Sequence, residues 1–170
     1  MEHPLLGGFN DPVLADDDQL WQLLRSLDDP CHLELPVGYH HVRERARFDQ
    51  LAQRLDHGFG CRSLVDRHAE DASFHGRIDI PAPATESGHR LVVVISNFGS
   101  LAVVAVDNPG VWTDAEAALL LHPGDGRLID SALAEFGYVR VPEEPLWRRY
   151  DGVGMRLDGR PWWDRFFCYL

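Results

Sequence analysis

Lysine is absent from the sequence, and acidic residues are in large excess. All 16 basic residues are arginine, against 27 aspartates and glutamates, so the formal net charge at pH 7 is −11. A surface with this charge repels the phosphate backbone of nucleic acids and anionic lipid headgroups. The composition therefore argues against nucleic-acid and membrane partners and favours a basic protein partner. Acidity also keeps a protein soluble, which is the simpler interpretation of the same charge.

Cysteine is scarce, and long apolar runs are missing. The three cysteines, Cys31, Cys61 and Cys168, are odd in number and far apart in the chain, so they do not predict a disulfide framework. Apolar runs such as residues 91–95 and 101–106 are much shorter than the ~20 residues that cross a bilayer. The N-terminal segment lacks the basic flank and the apolar stretch of a secretory signal. We therefore expect a cytoplasmic protein.

Motifs of known catalytic, cofactor-binding and metal-binding sites are also missing. The chain has no G-x-S-x-G, no P-loop and no dinucleotide-binding glycine pattern. Among its nine histidines, His40 and His41 are adjacent. Their side chains would diverge by about 100° on a helix. No HExxH or CxxC accompanies them. The sequence therefore predicts neither a cofactor nor a metal site.

Apolar periodicity predicts several helices. Leucines recur at helical spacing directly after the aspartate triplet 16–18, and carboxylates stabilise the start of a helix. A second helix is predicted over about residues 41–57. The capping-box pattern at residues 113–116 predicts a third, which would run through residue 121 and be terminated by Pro123 and Gly124. A fourth is predicted over residues 128–136, where apolar residues are spaced in the same way.

Strand patterns occupy the middle of the chain. Residues 74–80 alternate strictly between apolar and polar, which predicts a half-buried strand. Its apolar face would carry Phe74, Gly76, Ile78 and Ile80. Its polar face would carry His75, Arg77 and Asp79. A preceding strand around residues 61–68 would turn back at residues 70 and 71. That register places Asp66 opposite His75 and Arg62 opposite Asp79.

Two valine-rich segments, residues 91–96 and 101–106, are apolar on both faces and are joined by a short connection that contains glycine. They predict a hairpin at the centre of the sheet. Residues 138–141 are candidates for a fifth strand. The predicted fold is therefore a single α+β domain of two layers, with helices packed on a four- to five-stranded, mainly antiparallel sheet.

Aromatic residues dominate the segment RPWWDRFFCYL, residues 160–170. Its large apolar residues form one broad helical stripe: Trp162, Trp163, Phe166, Phe167 and Leu170. A helix this short is marginal unless its rings are packed, so the stripe is predicted to belong to the core. The competing interpretation is a partner-binding or homodimer surface, because tryptophan is enriched at binding hot spots.

The strongest catalytic candidates lie on the predicted polar face and its neighbouring strand: Asp66, His75, Arg77 and Asp79. A histidine beside a carboxylate can act as a general base. Alternating charge is also ordinary on a solvated antiparallel sheet face. A small-molecule-binding protein or an enzyme that uses these residues is therefore the alternative hypothesis.

The first functional hypothesis is a non-catalytic, acidic protein-binding protein, such as an immunity protein or an antitoxin-like inhibitor of a basic toxin. The negative charge is concentrated in two segments, because residues 1–30 and residues 91–147 each carry −6. Such a surface steers a basic partner and raises its association rate. The candidate contact residues are Asp16, Asp17, Asp18, Glu143, Glu144 and Trp162.

Overall fold

A computed structural model describes residue 14, residues 16–154 and residues 157–170 of the chain. In these residues, five strands form one sheet in the order β1-β2-β3-β4-β5. The strands are β1 (Leu64–Asp66), β2 (Phe74–Ile80), β3 (Leu91–Ser96), β4 (Leu101–Val106) and β5 (Val139–Arg140). Neighbouring strands are antiparallel except for β4 and β5, which are parallel. The predicted mainly antiparallel sheet and its fifth strand are confirmed.

Helices pack on this sheet, which confirms the predicted α+β class. The α-helices of the described residues are α1 (Asp17–Leu27), α2 (His41–Phe59), α3 (Asp114–Leu120), α4 (Pro123–Glu135) and α5 (Trp162–Phe167). A short 3₁₀ helix, Glu144–Trp147, lies between β5 and α5. Over the described ranges, no helix has both the length and the apolar character that crossing a membrane requires.

The helix starts follow signals in the sequence. Asp16 caps α1, because its Oδ1 accepts a hydrogen bond from the backbone N–H of Gln19 at 2.9 Å. Thr113 and Glu116 form the predicted capping box of α3. The predicted end of α3 before Pro123 is confirmed. Pro123 itself begins α4, so that helix starts five residues before the predicted residue 128. Proline suits the first helical position because its missing N–H has no partner there in any helix.

Helices cover both faces of the sheet, so there are three layers where the sequence suggested two. On one face, α1 and α5 pack against Val92 and Val94 of β3. On the other face, α2 and α4 pack against Val93 and Ile95. Every residue of β3 and β4 is buried. The double-sided apolar character of these two strands therefore reflects two helical layers.

A β-bulge in β2 interrupts the predicted alternation. The register with β3 shifts between Phe74, which lies opposite Ser96, and Gly76, which lies opposite Ile95. Phe74 consequently packs in the cluster that contains α5, whereas Ile78 packs in the cluster that contains α2. The predicted common face for Phe74 and Ile78 is therefore wrong, because two residues of the bulged strand oppose one residue of the neighbour.

The pairing of β1 with β2 also departs from prediction. Asp66 lies opposite Arg77 rather than opposite His75. The predicted pairing of Arg62 with Asp79 is likewise wrong, because β1 begins only after Arg62. The connection between the two strands is longer than the tight turn that the prediction assumed.

The α5 helix is part of the core, as predicted. The rings of Trp162, Trp163, Phe166 and Phe167 are all buried. Trp162 is only 1% exposed, so its ring is not available at the surface, contrary to its interpretation as a partner contact. Both tryptophans are covered because each packs on a second aromatic ring, Trp162 on Tyr150 and Trp163 on Trp147.

Arg165 of α5 is not one of the apolar residues of the stripe, yet it is 0% exposed. Its Nε donates to Asp28 Oδ1 at 2.8 Å, which forms a buried ion pair. Its other N–H groups donate to the backbone carbonyls of Leu33, Asp29 and His32. The pair ties α5 to the segment that follows α1.

Candidate functional site

The four predicted catalytic candidates do not share one site. His75 lines a cavity, and the other three do not contribute to its lining. Arg77 and Asp79 bind each other, with Nε donating to Oδ1 at 2.6 Å and Nη2 donating to Oδ2 at 3.1 Å. Asp66 is exposed and accepts a hydrogen bond from the backbone N–H of His68. The bulge divides the group, because it turns His75 toward α2 while Arg77 and Asp79 pair with β3 residues of the opposite face.

The His75 cavity, as we name it, has a volume of about 400 Å³, which is within the usual range of small-molecule sites. It lies between the start of α2 and the connection from β1 to β2. Charged and polar residues dominate its lining: Glu34, His41, Arg45, His68, Glu70 and Asp71. The lining therefore offers both signs of charge around one buried imidazole.

Hydrogen bonds fix the tautomer of His75. Asn97 Nδ2 donates to the backbone carbonyls of Glu34 at 3.0 Å and Ala72 at 3.1 Å. Asn97 Oδ1 is therefore the acceptor, and it receives the hydroxyl hydrogen of Tyr39 at 3.0 Å. The Tyr39 oxygen then accepts from His75 Nδ1, which lies 2.7 Å away. This arrangement leaves Nε2 as the unprotonated nitrogen.

The Nε2 atom of His75 is buried and has no hydrogen-bond partner among the described residues. The residue is 8% exposed. Burial lowers the pKa of the imidazole, and the positive charge of Arg45 lowers that pKa further. His75 is therefore neutral at pH 7 and presents an unused acceptor lone pair.

Arg45 is a cation of the His75 cavity that has no carboxylate partner within the described ranges. Its Nη2 donates to the backbone carbonyl of Arg67 at 3.1 Å. The guanidinium of Arg67, which also lines the cavity, is bound to Asp49 at 2.6 Å. In the part of the chain that the structure describes, no group of three or more His, Cys, Asp or Glu side chains is arranged to hold a metal ion.

A second depression, which we name the acidic groove, lies where α1, the start of α3 and the 3₁₀ helix Glu144–Trp147 meet. Its volume is about 490 Å³. It is lined by Asp17, Asp114, Glu144, Pro145, Trp147 and Arg148. Segments that are distant in the sequence thus bring three carboxylates and one guanidinium together.

Two of the predicted contact residues, Asp17 and Glu144, line the acidic groove. Asp16 and Asp18 are exposed but lie outside its lining. Asp17 lies 3.8 Å from Arg148, and both side chains are more than half exposed. An ion pair this exposed contributes little, so Asp17 remains available to an external cation.

Glu143, the remaining predicted carboxylate, is buried and positions Trp147. Its Oε1 accepts a hydrogen bond from Trp147 Nε1 at 2.8 Å and another from the backbone N–H of Gly110. Burial raises the pKa of the Glu143 carboxyl. The Trp147 ring also stacks on Trp163, with 4.8 Å between the ring centroids. Trp147 is nevertheless 40% exposed. The groove therefore holds a partly exposed indole in a fixed orientation.

Reciprocal hydrogen bonds hold the two inner carboxylates of the groove in place. Asp114 accepts from the backbone N–H groups of Glu143 at 3.0 Å and Glu144 at 3.1 Å. Glu144 Oε2 accepts in return from the backbone N–H of Asp114 at 3.2 Å. Both charges are therefore positioned before any ligand arrives.

Sequence reasoning missed several residues of both depressions. Asn97 was placed only in the connection between the two valine-rich segments, and neither Tyr39 nor Trp147 was singled out. Only the amide of Asn97 in a short turn between two buried strands gave a signal, since asparagine is favoured where backbone groups need a side-chain partner.

Comparisons of the chain with protein-family models, with curated proteins and with solved structures find no match.

Proposed function

We propose that the protein binds a basic protein partner through the acidic groove and performs no chemistry on it, as an immunity protein or an antitoxin-like inhibitor does. One observation carries this proposal. Asp17, Asp114 and Glu144 come from separate segments and meet beside the fixed, partly exposed ring of Trp147.

Charge supports the proposal at long range and at short range. The net charge of −11 attracts a basic protein from a distance and raises the rate of encounter. The acidic groove then offers three carboxylates against the single guanidinium of Arg148. This excess of negative charge provides a place at which the attracted partner is held.

Arginine is the side chain that best matches the groove. A planar guanidinium stacks on an indole face and donates paired hydrogen bonds to carboxylates. Trp147 supplies the ring, and Asp17 and Glu144 supply carboxylate oxygens. Because hydrogen bonds and stacking already fix Trp147, its binding to a partner loses little conformational entropy. We therefore expect the partner to insert an arginine beside this ring.

The test is capture of partners from a lysate of the native host, followed by affinity measurements on the purified complex. We expect one predominant basic protein whose binding weakens as salt concentration rises. Replacing Asp17→Asn together with Glu144→Gln should weaken binding about tenfold or more. Replacing Trp147→Ala should weaken it about 30-fold, which corresponds to the loss of about 2 kcal/mol that is typical of a hot-spot residue.

A charge-matched control separates the groove from the overall charge. Glu86→Gln with Glu135→Gln removes the same number of charges beside α4, on the other face of the sheet. This pair should leave the affinity almost unchanged. Equal losses in the two double variants would reject the groove, and recovery of no protein partner would reject the function.

A further inference from the structure

We propose that the His75 cavity binds a zwitterionic amino acid, with its amino group donating to His75 Nε2 and its carboxylate bound by Arg45. This site is independent of the acidic groove, since the two depressions share no lining residue. Three features of the described residues support it: an unused acceptor, an unpaired cation and a set of unpaired carboxylates.

The acceptor is Nε2 of His75. Buried polar atoms in proteins nearly always have a hydrogen-bond partner, so an exception requires an explanation. The surrounding hydrogen bonds fix this exception. Asn97 orients the Tyr39 hydroxyl, and the Tyr39 oxygen accepts the hydrogen bond from His75 Nδ1. The imidazole cannot turn its free nitrogen toward a protein donor without breaking that chain. A donor from a ligand completes it.

The cation is Arg45. Among the described residues it forms no ion pair, although it lines a cavity that also contains carboxylates. Arg43 lies two residues earlier on the same helix. It binds Glu44 at 3.1 Å and lies outside the cavity. A guanidinium that lacks a carboxylate is suited to bind that of a ligand, with paired hydrogen bonds.

The carboxylates select a ligand that is positive as well as negative. Glu34, Glu70 and Asp71 line the cavity, and none of the three forms an ion pair with a described residue. A simple anion would meet repulsion from these side chains, whereas an ammonium group is attracted by them. A ligand that bears an ammonium and a carboxylate satisfies both halves of the lining. Amino acids with basic side chains should therefore bind more tightly than acidic ones.

The experiment titrates the whole protein with glycine, L-alanine, L-arginine, L-glutamate and L-lactate while the imidazole ¹⁵N resonances of His75 are recorded. The free protein should show a protonated Nδ1 and an unprotonated Nε2. L-arginine and L-alanine should shift the Nε2 resonance in a saturable way, L-arginine at the lowest concentration. L-glutamate and L-lactate should bind more weakly.

Two arginine variants of α2 provide the matched pair. Arg45→Gln should raise the dissociation constant for L-alanine about tenfold or more, because a charge-assisted hydrogen bond is lost. Arg43→Gln should leave that constant unchanged. Saturable binding in the wild-type protein does not depend on how either variant folds.

Three outcomes would overturn the proposal. The Nε2 resonance stays at the position of a water-bound nitrogen with every ligand in the panel, L-lactate binds as tightly as L-alanine, or Arg43→Gln weakens binding as much as Arg45→Gln. None of these results bears on the acidic groove, which the capture experiment tests separately.

Discussion

The two faces of the sheet differ in whether all of their buried polar atoms have a hydrogen-bond partner. On the face covered by α1 and α5, the buried guanidinium of Arg165 is bound by a carboxylate and by backbone carbonyls. On the face covered by α2 and α4, two buried nitrogens have no partner among the described residues, Nε of Arg47 and Nε2 of His75. Buried polar groups thus fasten chain segments on the first face, whereas on the second face part of the buried hydrogen-bonding capacity is unused.

The network around Arg165 explains why the first face tolerates a buried charge. Asp28 also accepts hydrogen bonds from the Tyr150 hydroxyl at 2.6 Å and from the backbone N–H of Val153 at 3.0 Å. The guanidinium lies over the rings of Phe98 and Phe166, at 4.4 and 4.9 Å from their centroids. Both charges therefore have partners on several sides, which offsets their loss of water.

The largest effect that we expect comes from Arg165→Met, which leaves the Asp28 carboxylate buried without its cation. Unfolding in denaturant should show a loss of about 3–5 kcal/mol in the free energy of unfolding. Arg149→Met is the control, because Arg149 forms an exposed ion pair with Asp158. It should change that free energy by about 0.5 kcal/mol or less. Equal changes in the two variants would show that the Arg165 network does not stabilise the first face.

A smaller loss is expected from Gly76→Ala on the second face. An added Cβ would lie 2.6 Å from Cζ of Phe48 and 2.7 Å from the backbone oxygen of Asp66. Because one obstacle is backbone, the free energy of unfolding should fall by about 1–3 kcal/mol. In the control, Gly126→Ala, the Cβ would approach Leu121 no closer than 3.5 Å. That variant should be neutral or more stable, since alanine favours a helix. A neutral Gly76→Ala would contradict the close packing at the bulge.

The smallest effect that we expect is the dependence of the free energy of unfolding on the protonation of His75 at low pH. Burial first, then the charges of Arg45 and His41, lower its pKa in the folded protein, while Glu44 acts in the opposite direction. The unfolded chain therefore takes up a proton near pH 6.5 that the folded protein refuses until lower pH. The contribution of neutral His75 to the free energy of unfolding is fully present above that pH. It is lost as the pH falls through the pKa of His75 in the folded protein. Denaturant unfolding at a series of pH values should show this fall, and His75→Gln should flatten it. Identical profiles for both proteins would contradict it.

Features encoded by local chemistry were predictable from the sequence. The hairpin of β3 and β4 follows from residues that are apolar on both faces, and the start of α3 follows from the capping box of Thr113 and Glu116. In each case the residues that carry the signal also make the contact. Aromatic spacing in α5 similarly predicted its burial.

Features that depend on distant partners were not predictable. The bulge at Phe74 and Gly76 leaves the alternation of residue types intact and changes only the pairing with β3. Burial of Arg165 requires Asp28, which is remote in sequence. Convergence of Asp17 with Glu144 likewise depends on how three segments pack, although the acidic character of both segments was evident. The sequence therefore allowed prediction of the kinds of residue in the candidate sites, but not of where in the fold those residues meet.

The link between Arg165 and Asp28 joins positions 137 residues apart, which has a consequence for how the molecule assembles. Contacts of such long range form late, since the entropy of closing a large loop precedes any gain from them. During synthesis, the ribosome releases all five strands before α5 emerges. Until then Asp28 lacks the Arg165 guanidinium and the part of β3 that α5 covers is exposed, so a released chain that ends at Gly159 should bind chaperones that the 170-residue chain does not.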